Sequence, residues 1–221
     1  MRVVLAVNGL GLGGTEKSVQ THALAFDRDL VDVSVVAVQE DGPRREPLEA
    51  AGIEVHCAAG DEQRLRQLFA GVDVVHVTRA GVAEPLVPAA RRAAGVPVLV
   101  EANVFGAVDA SADESGFDCH LFPSKMCALR YRRRLGLDDP EFHDRHRVSF
   151  WPVDLAGLRA LAPAPRDAKR RLGLDPERPV VVRVGRDNDR KWRNLLVDMV
   201  PPLLELVPEV QIAIVGATPA K

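Results

Sequence analysis

Apolar runs rich in β-branched residues recur along this chain, and stretches with helical spacing separate them. In the first 150 residues they cover positions 3–7, 33–38, 53–57, 72–77, 96–100 and 119–122. Runs that are apolar almost throughout are typical of strands buried on both faces of a parallel sheet. The pattern therefore predicts an α/β fold whose N-terminal part is Rossmann-like, with helices covering the sheet.

Glycines lie where this arrangement needs helices to end. Gly52, Gly71 and Gly95 each stand between a helical stretch and the next apolar run. A left-handed residue that ends a helix is most often glycine, because glycine has no Cβ. We expect helix ends at these three positions.

Prolines after residue 148 suggest a division of the chain. Proline lacks a backbone N–H and interrupts regular structure, and prolines occupy positions 152, 163 and 165. The sequence predicts a Rossmann-like domain over residues 1–150, a crossing segment or linker over 151–166, and a second Rossmann-like domain that begins at 167. Residues 180–184 and 211–215 are its predicted strands, and two strands bury too little surface for a full domain.

Composition excludes several classes of function. The formal net charge is -2 and the pI is about 6.3, so no general attraction to nucleic acid is expected. The three cysteines form no CxxC pair, which indicates neither a disulfide framework nor a metal site. The first apolar run is too short for a signal peptide or a membrane span. These observations predict a cytoplasmic protein.

A turn with glycines at positions 9, 11, 13 and 14 follows the first apolar run. Such glycines let the next helix present free N–H groups and its positive dipole end to a phosphate. The spacing of Gly9, Gly11 and Gly14 also fits a dinucleotide site, in which Glu40 after the second strand would hold a ribose. The sequence leaves open a third interpretation, in which these glycines only allow the chain to turn.

Several short motifs occur in a characteristic order. They are Gly13-Gly14-Thr15-Glu16, Asp73-Val74-Val75-His76-Val77, Phe122-Pro123-Ser124, Trp151-Pro152-Val153-Asp154, and Gly185-Arg186 followed by Lys191. In this order the chain resembles the retaining GT-B glycosyltransferases, of the family 4-like type also called glycosyl transferases group 1. The resemblance implies transfer of a sugar, with retention, from a nucleoside diphosphate sugar to a carbohydrate or lipid-linked acceptor.

The resemblance also implies roles for particular residues. Gly13, Gly14, Arg186 and Lys191 are the expected ligands of the donor phosphates. Arginine offers a planar fork of donors and lysine a compact charge, so the pair can neutralise a leaving diphosphate. We therefore expect the protein to need neither a cofactor nor a metal ion.

The catalytic residue is not identified by the motifs. Where the family often has a histidine, after the fifth strand, this chain has Glu101 and Asn103 nearby. Asn103 could bind a sugar hydroxyl, and Glu101 could act as a base or orient an acceptor. His76 lies at the end of the fourth predicted strand, on the side where open parallel sheets bind ligands, although a structural role is the more common one for such a histidine.

The family's second glutamate motif, E-x7-E, is missing from the sequence up to Lys221. We therefore expect a truncated glycosyltransferase that turns over poorly or not at all. The basic helix predicted over residues 125–134 is interpreted as a solvated face, with peripheral contact to the inner face of the cell membrane as the alternative.

Two other functions remain open. One is an NAD(P)-dependent Rossmann oxidoreductase or epimerase that uses the first glycine turn. Tyr131 is the only tyrosine, and Leu135 stands where short-chain enzymes of this kind have a lysine. The other is a non-catalytic Rossmann-like binding or partner subunit, in which another chain would supply the missing donor half.

Overall fold

A computed structural model of the chain describes residues 1–79, 84–108, 116–137, 144–185 and 193–216. The chain divides into two compact units, Met1–Val153 and Asp154–Lys221. Arg186 and Lys191, two of the predicted phosphate ligands, lie outside the described residues. None of the helices within the described ranges is long and apolar enough to cross a lipid bilayer.

The first unit contains a seven-stranded parallel sheet. Its strands are β1 (Arg2–Gly9), β2 (Asp32–Glu40), β3 (Glu54–Cys57), β4 (Val74–Arg79), β5 (Val98–Asn103), β6 (Cys119–Phe122) and β7 (His146–Val148). Their order in the sheet is β3-β2-β1-β4-β5-β6-β7. The predicted Rossmann-like α/β fold is confirmed, but β7 was not predicted, because its three residues include a single apolar one.

Helices cover the sheet on two faces. They are α1 (Gly14–Ala25), α2 (Arg45–Ala50), α3 (Glu62–Leu68), α4 (Leu86–Ala94) and α5 (Lys125–Leu135). In β1, Val3, Leu5 and Val7 pack with α1 and α2, whereas Val4 and Ala6 pack with α3 and α4. Burial on both sides explains why this run is apolar throughout.

Of the three glycines predicted at helix ends, Gly95 is the C-cap residue of α4 and Gly52 follows the C-cap residue of α2, whereas Gly71 lies two residues beyond the C-cap residue of α3. Gly52, Gly71 and Gly95 have φ angles of 74°, 70° and 70°, in the left-handed region that favours glycine. Ser124 begins α5, and its side chain accepts a hydrogen bond from the backbone N–H of Cys127.

The second unit contains α6 (Leu155–Leu161), α7 (Pro165–Arg171), α8 (Arg193–Leu206) and the parallel pair β8 (Val180–Val184) and β9 (Gln211–Val215). The segment predicted as a linker thus contains a helix, α6, whose first turn is capped by Asp154 through the N–H of Gly157. Among the residues of this unit whose burial the structure describes, which leave out 186–196 and 217–221, Val210 is the only buried apolar residue.

The strand order places the topological switch point of the sheet beside β1. This strand lies between β2 and β4, so the chain winds outward in opposite directions on its two sides. In open α/β sheets, ligands bind at such a switch point, outside the carboxyl ends of the strands. The glycine turn that follows β1 lies at this edge.

Candidate functional site

The glycine turn connects the end of β1 to the start of α1. Gly13 is the N-cap residue of α1, with extended backbone (φ -70°, ψ 169°), and as a glycine it has no side chain to cap the helix. The first N–H groups of a helix have no partner within it and carry partial positive charge. The turn therefore offers uncapped donors at the carboxyl edge of the sheet.

Gly11 and Gly14 leave open space beside the backbone. Among the residues that the structure describes, a Cβ added at either position would meet no heavy atom within 4 Å, and neither glycine has a left-handed φ. Neither packing nor conformation within the chain thus requires glycine here. A remaining reason for glycine at these two positions is that a ligand approaches the backbone closely. Gly42 is the opposite case, because a Cβ there would collide with the carbonyl of Leu10.

Arg44 holds the turn from the neighbouring loop. Its Nε donates to the carbonyl oxygen of Gly11 at 2.9 Å, and its Nη2 donates to that of Gly13 at 3.3 Å. Its Nη1 donates to the side chain of Gln20 in α1 at 2.8 Å. The sequence analysis missed Arg44, because its partners lie 24 to 33 residues away and no local motif marks it.

Glu40 also lies beside the turn. It is the last residue of β2, it pairs with Gly9, and its carbonyl accepts the N–H of Leu10 at 3.1 Å. Its side chain is exposed. This is the position that the dinucleotide hypothesis requires for a ribose ligand.

Glu101 is engaged by two protein side chains. Its Oε1 accepts from Nε and Nη2 of Arg79 at 2.7 and 2.6 Å, and its Oε2 lies 2.5 Å from Nδ1 of His120. Only 1% of Glu101 is exposed. The network joins β4, β5 and β6, and the geometry is that of a residue that positions its neighbours.

Asn103 closes the turn after β5. Its Nδ2 donates to the carbonyl oxygen of Ala107 at 2.8 Å, and its Oδ1 accepts the N–H of Ala107 at 3.2 Å. The residue is 2% exposed. Like Glu101, it uses its polar atoms within the protein.

His76 is the third residue of β4 rather than its end. Burial lowers its pKa from about 6.5 to about 4, and the nearby His22 contributes in the same direction. Its Nε2 is buried without a hydrogen-bond partner among the described residues. The rings of His22 and His76 lie edge to face at 6.0 Å, and Trp151 lies 6.0 Å from His22. A neutral, buried ring favours the structural role.

Glu84 is a further candidate for a functional residue, and the sequence analysis did not identify it. Burial raises the pKa of its carboxyl, although the N–H of Leu86, the side chain of Gln39 and the charge of Arg79 act against this. One carboxyl oxygen, Oε1, is buried and has no partner in the part of the chain that the structure describes. No motif surrounds Glu84, so the sequence carried no signal for it.

The second predicted turn is described only in part. β8 ends at Val184, and the N–H of Gly185 donates to the carbonyl oxygen of Val215 at 3.1 Å. The described residues contain no group of three or more histidine, cysteine or carboxylate side chains that could hold a metal ion.

Comparisons with known proteins identify the fold. No protein-family model and no curated protein matches the sequence. A glycosyltransferase from Rickettsia africae ESF-5 has a TM-score of 0.64 at 11% identity, over 96% of this chain and 68% of that one. An alpha-glucosyltransferase (AGT) in complex with UDP has a TM-score of 0.58 at 12% identity, over 98% and 68%.

A third similar structure is a putative UDP-N-acetylglucosamine 2-epimerase from Listeria monocytogenes. Its TM-score is 0.56 at 12% identity, over 96% of this chain and 61% of that one. The chain thus spans about two thirds of the length of these proteins, or somewhat less. The likeness shows the fold, which is Rossmann-like and matches that of GT-B glycosyltransferases.

Proposed function

We propose that this chain binds a nucleoside diphosphate sugar and takes part in transferring the sugar, with retention, to a carbohydrate or lipid-linked acceptor. The observation that carries the proposal is the open glycine turn, in which Gly11 and Gly14 have neither a conformational nor a packing reason to be glycine. The similarity to glycosyltransferases, one of them in complex with UDP, supports it.

In this proposal the diphosphate lies against the N-terminus of α1, beside Gly13 and Gly14. Arg186 and Lys191 supply positive charge to the same diphosphate. As the bond from the sugar to the phosphate breaks, negative charge grows on the leaving group. Fixed cations then stabilise the transition state more than the ground state, so no metal ion is required.

Glu101 and Asn103 are proposed as positioning residues. Glu101 links the three neighbouring strands β4, β5 and β6 through Arg79 and His120. Asn103 fixes the turn up to Ala107. Both act on the edge of the sheet where the ligand is proposed to bind.

Calorimetric titration of the 221-residue chain with UDP, GDP and uridine tests the proposal. We expect one of the diphosphates to bind and uridine to bind much more weakly. Arg186→Ala and Lys191→Ala should each weaken binding by about tenfold or more, because a charged hydrogen bond is lost. Arg166→Ala is the matched control, since this arginine is exposed and pairs with Glu177. Failure of both diphosphates to bind would contradict the proposal.

The placement of Glu40 favours a second candidate, an NAD(P)-dependent oxidoreductase or epimerase. Its side chain is exposed next to Gly9, where a ribose ligand would be needed. This candidate predicts that NADH fluorescence changes on binding, that neither UDP nor GDP competes, and that Glu40→Gln weakens NADH binding. Competition by UDP or GDP would favour the glycosyltransferase.

A further inference from the structure

Arg44 is bound to the glycine turn by both its backbone and its side chain. Its N–H donates to the carbonyl oxygen of Leu10 at 3.2 Å, in addition to the side-chain bonds to Gly11, Gly13 and Gln20. Among the residues that the structure describes, no carboxylate pairs with its guanidinium. Peptide carbonyls and an amide, rather than an acidic side chain, hold this half-buried cation.

These bonds determine where the turn's N–H groups point. In a planar trans peptide the C=O and N–H groups point in opposite directions. The peptide bonds here are trans. Because Arg44 binds the carbonyls of Gly11 and Gly13, the N–H groups of Leu12 and Gly14 point away from it. Neither N–H donates to an acceptor within the described ranges.

The two peptides depend on Arg44 to different degrees. The carbonyl of Gly13 also accepts the N–H of Lys17 at 3.1 Å, so α1 helps to fix its direction. Among the described residues, Arg44 alone donates a hydrogen bond to the carbonyl oxygen of Gly11. The N–H of Leu12 should therefore respond more strongly than that of Gly14 when Arg44 is replaced.

We propose that Arg44 is a positioning residue for the phosphate-binding turn. It binds the two turn carbonyls and so orients the N–H groups of Leu12 and Gly14 towards the ligand's diphosphate. This inference rests on the proposed function. Arg44 acts through the turn, and the donors that meet the phosphate are backbone groups.

The loop that carries Arg44 is shaped for this contact. Gly42 packs so closely on Leu10 and Gly11 that a Cβ would collide with the carbonyl of Leu10. A planar guanidinium can reach three acceptors at once, whereas a lysine ammonium is a compact charge on a flexible stem. Lysine at position 44 should therefore keep the charge but lose the geometry.

The experiment compares Arg44→Met and Arg44→Lys with the control Arg45→Met. Arg45 is the adjacent arginine, but it binds Asp41, Glu49 and the carbonyl of Val55 rather than the turn. The readouts are the NMR shifts and hydrogen exchange of the Leu12 and Gly14 amides, and the affinity for UDP and GDP.

We expect both Arg44 variants to shift the two turn amides and to weaken diphosphate binding by about tenfold or more for Arg44→Met, with a smaller loss for Arg44→Lys. A third variant, Arg44→Ala, leaves space for the lost guanidinium, and methylguanidinium added to it should restore part of the affinity. Arg45→Met should leave the NMR shifts of the turn amides unchanged. Its affinity for the diphosphates should stay within about twofold of wild type.

Unchanged turn amides in both Arg44 variants would overturn the inference, as would an equal effect of Arg45→Met. If the wild-type chain binds neither diphosphate, the proposed function fails, and the amides alone decide whether Arg44 positions the turn. If Arg44→Met does not fold, Arg44→Lys and the rescue by methylguanidinium still decide whether Arg44 positions the turn.

Discussion

The guanidinium of Arg79 and the carboxylate of Glu101 meet at 2.7 Å, and both residues are at least 95% buried. Each belongs to a strand, Arg79 to β4 and Glu101 to β5, on the side of the sheet that begins next to β1. His120 approaches the other carboxylate oxygen, and the guanidinium lies 4.8 Å above the ring of Phe117. The cluster therefore ties three neighbouring strands together.

Breaking this cluster should destabilise the fold strongly. Glu101→Gln keeps the shape of the side chain but removes the negative charge that faces the buried guanidinium of Arg79, so we expect a loss of about 3 kcal/mol or more in urea unfolding. Glu49→Gln is the control, because Glu49 pairs with Arg45 at a half-exposed position and should cost about 1 kcal/mol or less. Equal losses in the two variants would contradict the interpretation.

Asn103→Ala tests the role assigned to the turn after β5. The substitution leaves the N–H and carbonyl groups of Ala107 without their side-chain partner, so stability should fall by about 1–3 kcal/mol. If Asn103 only positions this turn, the affinity for UDP or GDP should change little. A large loss of affinity at unchanged stability would instead show direct contact with the ligand.

Stability should depend on pH through His76. Its folded pKa, about 4, lies below the unfolded value of about 6.5, so the unfolded state binds more protons between these values. The contribution is complete above pH 6.5 and is lost as the pH falls towards 4, by up to about 3 kcal/mol. His76→Phe should flatten the pH dependence of urea unfolding in this window, whereas His56→Gln, at a partly exposed site, should not.

Much of the fold could be predicted from the sequence, because buried parallel strands appear as apolar runs and helix ends as glycines. The short strand β7 was missed, since a strand of three residues, His146 to Val148, has no detectable period. The sequence could not predict which side chains pair with residues far away in the chain. Nothing local shows that Arg79 binds Glu101, or that Arg44 holds carbonyls more than thirty residues earlier in the chain.

The basic helix α5 is expected to be a solvated face. Lys125, Arg133 and Arg134 lie on it, and Met126 and Leu129 are exposed among them at 67% and 47%. We expect the chain to sediment equally little with phosphatidylglycerol vesicles and with neutral vesicles. Sedimentation with the anionic vesicles alone, reversed by salt, would support peripheral membrane contact instead.

The most direct test of the account compares Gly14→Ala with Gly52→Ala by calorimetric titration with UDP and GDP and by urea unfolding. A methyl group at Gly14 meets no atom of the described residues within 4 Å, so stability should be kept or raised by up to about 1 kcal/mol, while diphosphate affinity falls by about tenfold or more. Gly52 has a left-handed φ of 74°, so Gly52→Ala should lose about 1–2 kcal/mol and keep its affinity. Wild-type affinity in Gly14→Ala would contradict the claim that the diphosphate lies against this turn.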